Sequence, residues 1–390
     1  MELRDAQNGD TEAMKFVAEN LLEKKQFAKA LKWLHKAVKE HNNTDAMRAI
    51  GYLYACEKGV SQNYHKAESW FVKAANAGDE QALWLLGVAY REGAGFPRNI
   101  EKAIYWFEKA AEQGYTDAAV EIATLYYEGI DVPQDFSLAL QWILKAANAG
   151  NVTAMHNVGT IYDNGTRTPV DYRKARYWFS KAAQKGNTNS MNALGTIYVH
   201  SHGVPLDYQK AMKWYKKGAA KYDGDAAYNV GMMYEKGEGV PRDYRKAFEW
   251  YKEAAGYGDS DAMIYIAALF YYGRGVPKCR AQSVRWYHKA AEKENNRTYH
   301  FLAMAYHWAD GVPRDCKQSM QWFLKAAQAG NTDATRNLAM LYKEGEGVPK
   351  DIEKALHWYQ KAADCGSEGA LQSVRQLHKV ISGKGKVAQK

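Results

Sequence analysis

The sequence predicts an all-α protein, a right-handed α/α solenoid of about ten helical hairpins closed by a C-terminal helix. Three observations carry that prediction. All eight prolines (Pro97, Pro133, Pro169, Pro205, Pro241, Pro277, Pro313 and Pro349) stand 36 residues apart. Ten of the twelve tryptophans keep the same beat from Trp33 to Trp358, with a single interval of 37 between Trp33 and Trp70. Between these markers, apolar residues recur at helical spacing. A fixed period of this length belongs to chains whose units bury their apolar faces only by stacking on their neighbours.

Residues 1–42 read as an N-terminal cap built on one hairpin, in which Lys25, Gln26 and Phe27 join the helices without the proline loop of later units. Residues 43–366 read as the array proper, and 223–258 shows its logic. Ala226, Val230, Gly231 and Tyr234 fall on one face of a first helix. The small residue at 231 recurs as Gly87, Ala123, Gly159, Gly195, Ala267, Ala303 and Ala339, which points to close approach by another helix. Gly237 fits a left-handed helix stop, and Pro241 prevents continuation. Asp243 is placed to cap the second helix, which carries Ala247, Trp250, Tyr251, Ala254 and Ala255 as one apolar stripe. Residues 367–381 read as a capping helix. Ala370 and Val374 face inward there, and Arg375 and His378 lie on the polar outer side a terminal unit needs. Residues 382–390 read as a disordered basic tail.

These residues resemble the Sel1-like repeat family, a relative of the tetratricopeptide repeats with longer loops. The family pattern of small residue, Leu-Gly, Tyr and GxGVPxDxxKAxxWxxKAA is met most fully by 82–111, 226–255 and 334–363. Recognisable versions cover roughly residues 44–366, while residues 10–42 look more like a plain tetratricopeptide hairpin. The resemblance implies a concave groove lined by the first helix of each hairpin, holding a peptide or protein partner. It implies a non-enzymatic scaffold or adaptor. Some secreted, cysteine-rich members of the family are described as penicillin-binding. Those carry a cysteine pair in each repeat, which this chain lacks, so that role is not carried over.

Composition and motifs point the same way. The net charge is +9, from 53 basic and 44 acidic residues. Much of the excess is a lysine that precedes the paired small residues of nearly every second helix, from Lys36 to Lys361. Charges spaced by roughly 20 Å, two helix diameters, neutralise few phosphates, so nucleic acid is not an expected partner. The tryptophans share one register and read as packing rather than as a stacking platform for bases. Four cysteines without a CxxC favour a reducing compartment. The chain is charged from residue 2 and has no apolar run of bilayer length, so neither a signal peptide nor a transmembrane segment is expected and the cytoplasm is the expected location. No HExxH, GxSxG, P-loop or EF-hand string is present, and no catalytic residue, metal or cofactor is expected. His200 and His202 flank Ser201 without two further ligands in view. Two other readings stay open: a hydrolase-type site at the irregular stretches 199–205 and 295–311, and weak nucleic-acid binding along the lysines. A monomer or weak dimer is expected.

Recognition is expected where the register changes from unit to unit on the groove face. One such series runs Trp84, Val120, His156, Asn192, Tyr228, Ile264, His300 and Arg336. A second, about two helical turns further on, runs Arg91, Tyr127, Asp163, Val199, Glu235, Tyr271, His307 and Lys343. Aromatics, histidine and arginine suit an interface anchor, and Asn157, Asn229 and Asn337 follow the first series by one residue. The candidate partner-binding set is therefore Trp84, Arg91, Tyr127, His156, Asn157, Asn192, Tyr228, Asn229, Tyr271, His300, His307, Arg336 and Asn337.

Overall fold

The computed structural model of the chain describes residues 2–7, 9–56, 61–79 and 81–387, which form helices, turns and loops and no strand. The chain divides into two compact units, Met1–Asn187 and Thr188–Lys390, at a boundary that falls between two repeats. The first unit opens with the short helix Glu2–Gln7, which the periodicity does not announce. Five hairpins follow: Thr11–Glu23 with Phe27–His41, Thr44–Ala55 with Tyr64–Asn76, Ala82–Glu92 with Ile100–Glu112, Thr116–Glu128 with Phe136–Asn148, and Val152–Asn164 with Tyr172–Gln184. The second unit has five more: Thr188–Val199 with Tyr208–Ala219, Gly224–Lys236 with Tyr244–Gly256, Ser260–Tyr272 with Arg280–Glu292, Tyr299–Trp308 with Cys316–Gln328, and Thr332–Glu344 with Ile352–Asp364. The helix Glu368–Val387 closes it.

The loops are punctuated as the sequence implies. Gly237 sits at φ 78° and stops its helix, and the Asp243 N–H donates to the Tyr234 carbonyl at 2.9 Å, closing the loop that Pro241 bends. The Asp243 carboxylate then accepts the Lys246 N–H at 3.0 Å. Asn99, Asp135, Asp171, Asp207, Asp315 and Asp351 cap their helices the same way. Cys279 stands at that position in one hairpin and makes no side-chain cap. Accepting a backbone N–H favours the charged carboxylate, so Asp171, Asp207, Asp243 and Asp351 titrate below the usual range.

The recurring small residue does admit a close neighbour. A Cβ at Gly87, Gly159 or Gly231 would stand 2.6 Å from the ring of Phe107, Phe179 or Tyr251, and one at Gly195 would meet Tyr215. Each ring lies in the second helix of the same hairpin, twenty residues on, and is at most 4% exposed. Burying such a ring stabilises by about 1.5–3 kcal/mol. The residue involved is the one after the tryptophan. Only Trp178 is buried; the other nine tryptophans of the series are half-buried against the core. Their outer faces carry the lysine three residues on: in eight hairpins, from Lys36 over Trp33 to Lys361 over Trp358, the ammonium lies 4.1–5.3 Å from the indole centroid. The lysine ridge is thus largely a row of cation–π pairs. Lys109 instead pairs with Glu112 at 2.7 Å, and Trp250 has Glu253 at that place.

In the closing helix Ala370 and Val374 are buried, while Arg375 and His378 are exposed. The helix runs on through 382–387, where the sequence reading has a disordered tail. No proline interrupts the run, and each added residue gains a backbone hydrogen bond once a helix is nucleated. Residues 388–390 of that tail lie outside the described residues.

Candidate functional site

The thirteen candidate residues fall into three groups by environment. Several pack. Trp84 is half-buried with its ring 5.5 Å from Tyr115, and its Nε1 is buried without a hydrogen-bond partner among the described residues. Tyr228 sits between Tyr251 and Tyr265, at 5.7 and 5.4 Å. His156 lies 5.5 Å from Phe179 and His300 lies 5.9 Å from Phe323. Burial pushes the pKa of both histidines down, so both are neutral at neutral pH. His307 is 5% exposed, with Nδ1 3.6 Å from a Glu346 carboxylate oxygen.

A second group is paired between or within hairpins. Arg91 forms an ion pair with Glu121 of the next hairpin. Asn229 Nδ2 donates to Asn192 Oδ1 at 2.8 Å, and Asn337 Nδ2 reaches Met304 Sδ at 3.8 Å. Tyr271 carries the Arg280 guanidinium 3.4 Å above its ring. These side chains join neighbouring elements.

Of the remaining three, Tyr127 and Arg336 are exposed and Asn157 is half-buried. Arg336 is exposed, with Asp333 at 3.6 Å. Tyr127 (45% exposed) and Asn157 line one cavity of about 330 Å³, where two of the thirteen converge on a concavity. It lies in the first unit, between the 116–148 hairpin and the first helix and loop of the 152–184 hairpin. Ala123, Ala139, Leu140, Ile143 and Ile161 give it apolar lining, and the rings of Phe136 and Tyr127, 5.5 Å apart, line it too. Thr124 and Thr160 donate to their own helices' carbonyls, at 3.0 and 3.2 Å, which leaves hydroxyl lone pairs toward the cavity. Thr166, Arg167 and Thr168 of the loop complete it.

The sequence reading passes over Ile143, Arg167 and Thr168, although the repeat itself marks all three. Position 143 is Phe or Tyr in the eight other full repeats. Position 167 is Gly in six of its seven counterparts, Asp131 being the exception, and position 168 is Val in six of seven, the other being the buried Phe96. The signal is a coincidence of departures from the register, not a motif.

Elsewhere, the His200 and His202 rings lie 5.7 Å apart. Among the described residues no three or more His, Cys, Asp or Glu side chains gather so as to hold a metal ion.

The comparisons with known proteins agree on one family. The sequence model described as "Sel1 repeat" matches ten segments: 19–42, 44–79, 80–115, 116–151, 152–187, 188–223, 224–256, 260–295, 297–331 and 332–367. The match at 19–42 extends the family into the N-terminal hairpin. A solved Sel1 repeat protein from Oxalobacter formigenes is 30% identical and superposes with a TM-score of 0.70, covering 84% of this chain and 94% of that one. A second solved structure, of a protective antigen from uropathogenic Escherichia coli displaying an SLR fold, is 28% identical with a TM-score of 0.64, covering 97% and 82%. No curated protein matches the chain.

Proposed function

The chain belongs to the Sel1 repeat family, and from that premise we propose that it is a non-enzymatic scaffold holding a protein or peptide partner along its first helices. Repeats of this kind generally serve as protein-interaction scaffolds. One observation carries the proposal to this chain. Most interior registers are filled alike in hairpin after hairpin, Ile143 being a departure, while the first helices leave Tyr127 and Arg336 exposed at positions that change from unit to unit. Aromatic and arginine side chains make large, partly desolvated contacts at little conformational cost, which suits them to anchor a partner. No helix among the described residues is long and apolar enough to cross a membrane.

The test compares partner recovery by the intact chain with that by Tyr127→Ala and Arg336→Ala, using Tyr222→Ala as an exposed control outside the candidate set. The proposal expects at least one partner to be lost from a candidate variant and kept by the control. Identical recovery by all four proteins would remove the first helices from the argument.

A further inference from the structure

The 143–168 cavity exists because three repeat positions change together. In the neighbouring hairpins the space beside the first helix is filled from within, by Phe107 against Gly87 and by Phe179 against Gly159. Here Ala123 and Ile143 line the same cavity, and Ile143 is too short to take the place of a ring. A ring beside alanine is no obstacle in this fold, since Ala303 packs with Phe323 in one core cluster and Ala339 with Tyr359 in another. The position that a ring fills in the other full repeats is therefore taken here by the smaller Ile143, which lines a cavity of about 330 Å³.

The loop adds a second departure. A Cβ at Gly275 or Gly311 would stand 2.5 Å from the residue that starts the preceding second helix, Tyr244 or Arg280. Gly239 and Gly347 are crowded in the same way by Tyr208 and Cys316. The corresponding neighbour of residue 167 is Phe136. Yet position 167 holds an arginine at φ 58°, a backbone region that disfavours side chains. Its guanidinium lies 4.8 Å over the Phe136 ring, and both residues line the cavity. Arg167 is the only charged residue in the lining; no carboxylate faces it there. Thr168 puts a hydroxyl where most loops put Val.

We propose that this cavity binds an aromatic carboxylate, its ring filling the space left beside Ile143 and its carboxylate meeting the Arg167 guanidinium and the Asn157 amide. An apolar floor excludes small polar anions. A lining whose one charge is positive excludes cations. The carboxylate terminates either a free aromatic acid or a peptide chain that ends in an aromatic residue. The site shares Tyr127 and Asn157 with the first-helix face, but its floor at Ile143 and its charge at Arg167 lie on a second helix and a loop outside that face.

Calorimetric titration of the full chain with N-acetyl-L-phenylalanine tests it, alongside the uncharged N-acetyl-L-phenylalanine amide and N-acetyl-L-alanine. Saturable one-to-one binding of the acid is expected, with binding of the other two at least tenfold weaker. Ile143→Phe fills the cavity from within, and Arg167→Gly restores the residue of the other loops. Both variants should keep or raise the melting temperature while weakening the acid at least tenfold, which separates lost binding from lost folding. Gly-Gly-Phe binding more tightly than phenylacetate identifies a chain end as the source, and the reverse order identifies a free acid; both keep the ligand class. Equal binding of acid and amide, undiminished binding by Ile143→Phe, or no binding by the intact chain overturns the proposal. Binding of the acid with unchanged partner recovery by Tyr127→Ala and Arg336→Ala would sink the scaffold reading alone.

Discussion

The 224–256 and 116–148 hairpins are written on the same 36-residue register and differ in what fills them. In the first, Tyr251 closes against Gly231, is fully buried, and donates its hydroxyl to Glu235 at 2.6 Å. Burial, reinforced by the Glu235 carboxylate, holds that phenol protonated far above its ordinary range. In the second, Ile143 and Ala123 line a cavity of about 330 Å³. The difference teaches that the repeat supplies a scaffold of interchangeable parts, and that a site can arise by leaving one part out.

Truncation should separate the two hairpins most strongly. Tyr251→Ala is expected to cost about 3–5 kcal/mol in urea unfolding, through lost burial and the orphaned Glu235. Ile143→Ala should cost about 2 kcal/mol, because its surroundings are already open. A larger loss at Ile143 would erase the distinction. Enlargement should show the same contrast on a smaller scale. Gly231→Val forces Tyr251 aside and should cost about 1–3 kcal/mol, whereas Ala123→Val has the cavity to enter and should change the urea midpoint little.

The N-cap should contribute alike in the hairpins that carry it. Removing the cap with Asp135→Ala, or with Asn99→Ala in the 82–112 hairpin, should cost about 1 kcal/mol in each case; unequal losses would place the difference in the loops rather than the core. Filling the cavity with Ile143→Phe should gain about 1 kcal/mol in the same assay.

The smallest effect concerns pH. Burial lowers the pKa of His156 from its ordinary 6.5, so the folded state binds fewer protons there than the unfolded chain. That contribution is complete above about pH 6.5 and is lost as pH falls below it. His300 acts in the same sense, while Asp225 and Asp259, raised chiefly by burial, act in the opposite one. His156→Phe should therefore flatten the fall in melting temperature from pH 7 to pH 5, and an unchanged slope would assign the fall to other groups.

The architecture is legible because stacking forces each unit to repeat what its neighbour needs. Gly231 announces a close helix contact, and Asp243 announces a cap. The fully buried ring is harder to place: Trp250 and Tyr251 are both large, and only the three-dimensional turn of the helix decides that the tyrosine enters while the indole lies half-out. The candidate site is legible only in part. Variation at Arg91 and Asn192 reads as freedom, yet Arg91 pairs with Glu121 and Asn192 accepts from Asn229, partners that sit in the next hairpin and are invisible to a reading of one position at a time. Ile143 and Arg167 escape notice for the converse reason. Each is an ordinary residue by itself and becomes informative only when its absent ring or glycine is noticed beside the other.

The most direct measurement is a crystal structure of Ile143→Phe. The account predicts the introduced phenyl ring seated against Ala123, the cavity closed, and the surrounding helices in place. A ring turned to solvent, or a cavity that persists beside it, would contradict the claim that this space is a missing part of the repeat.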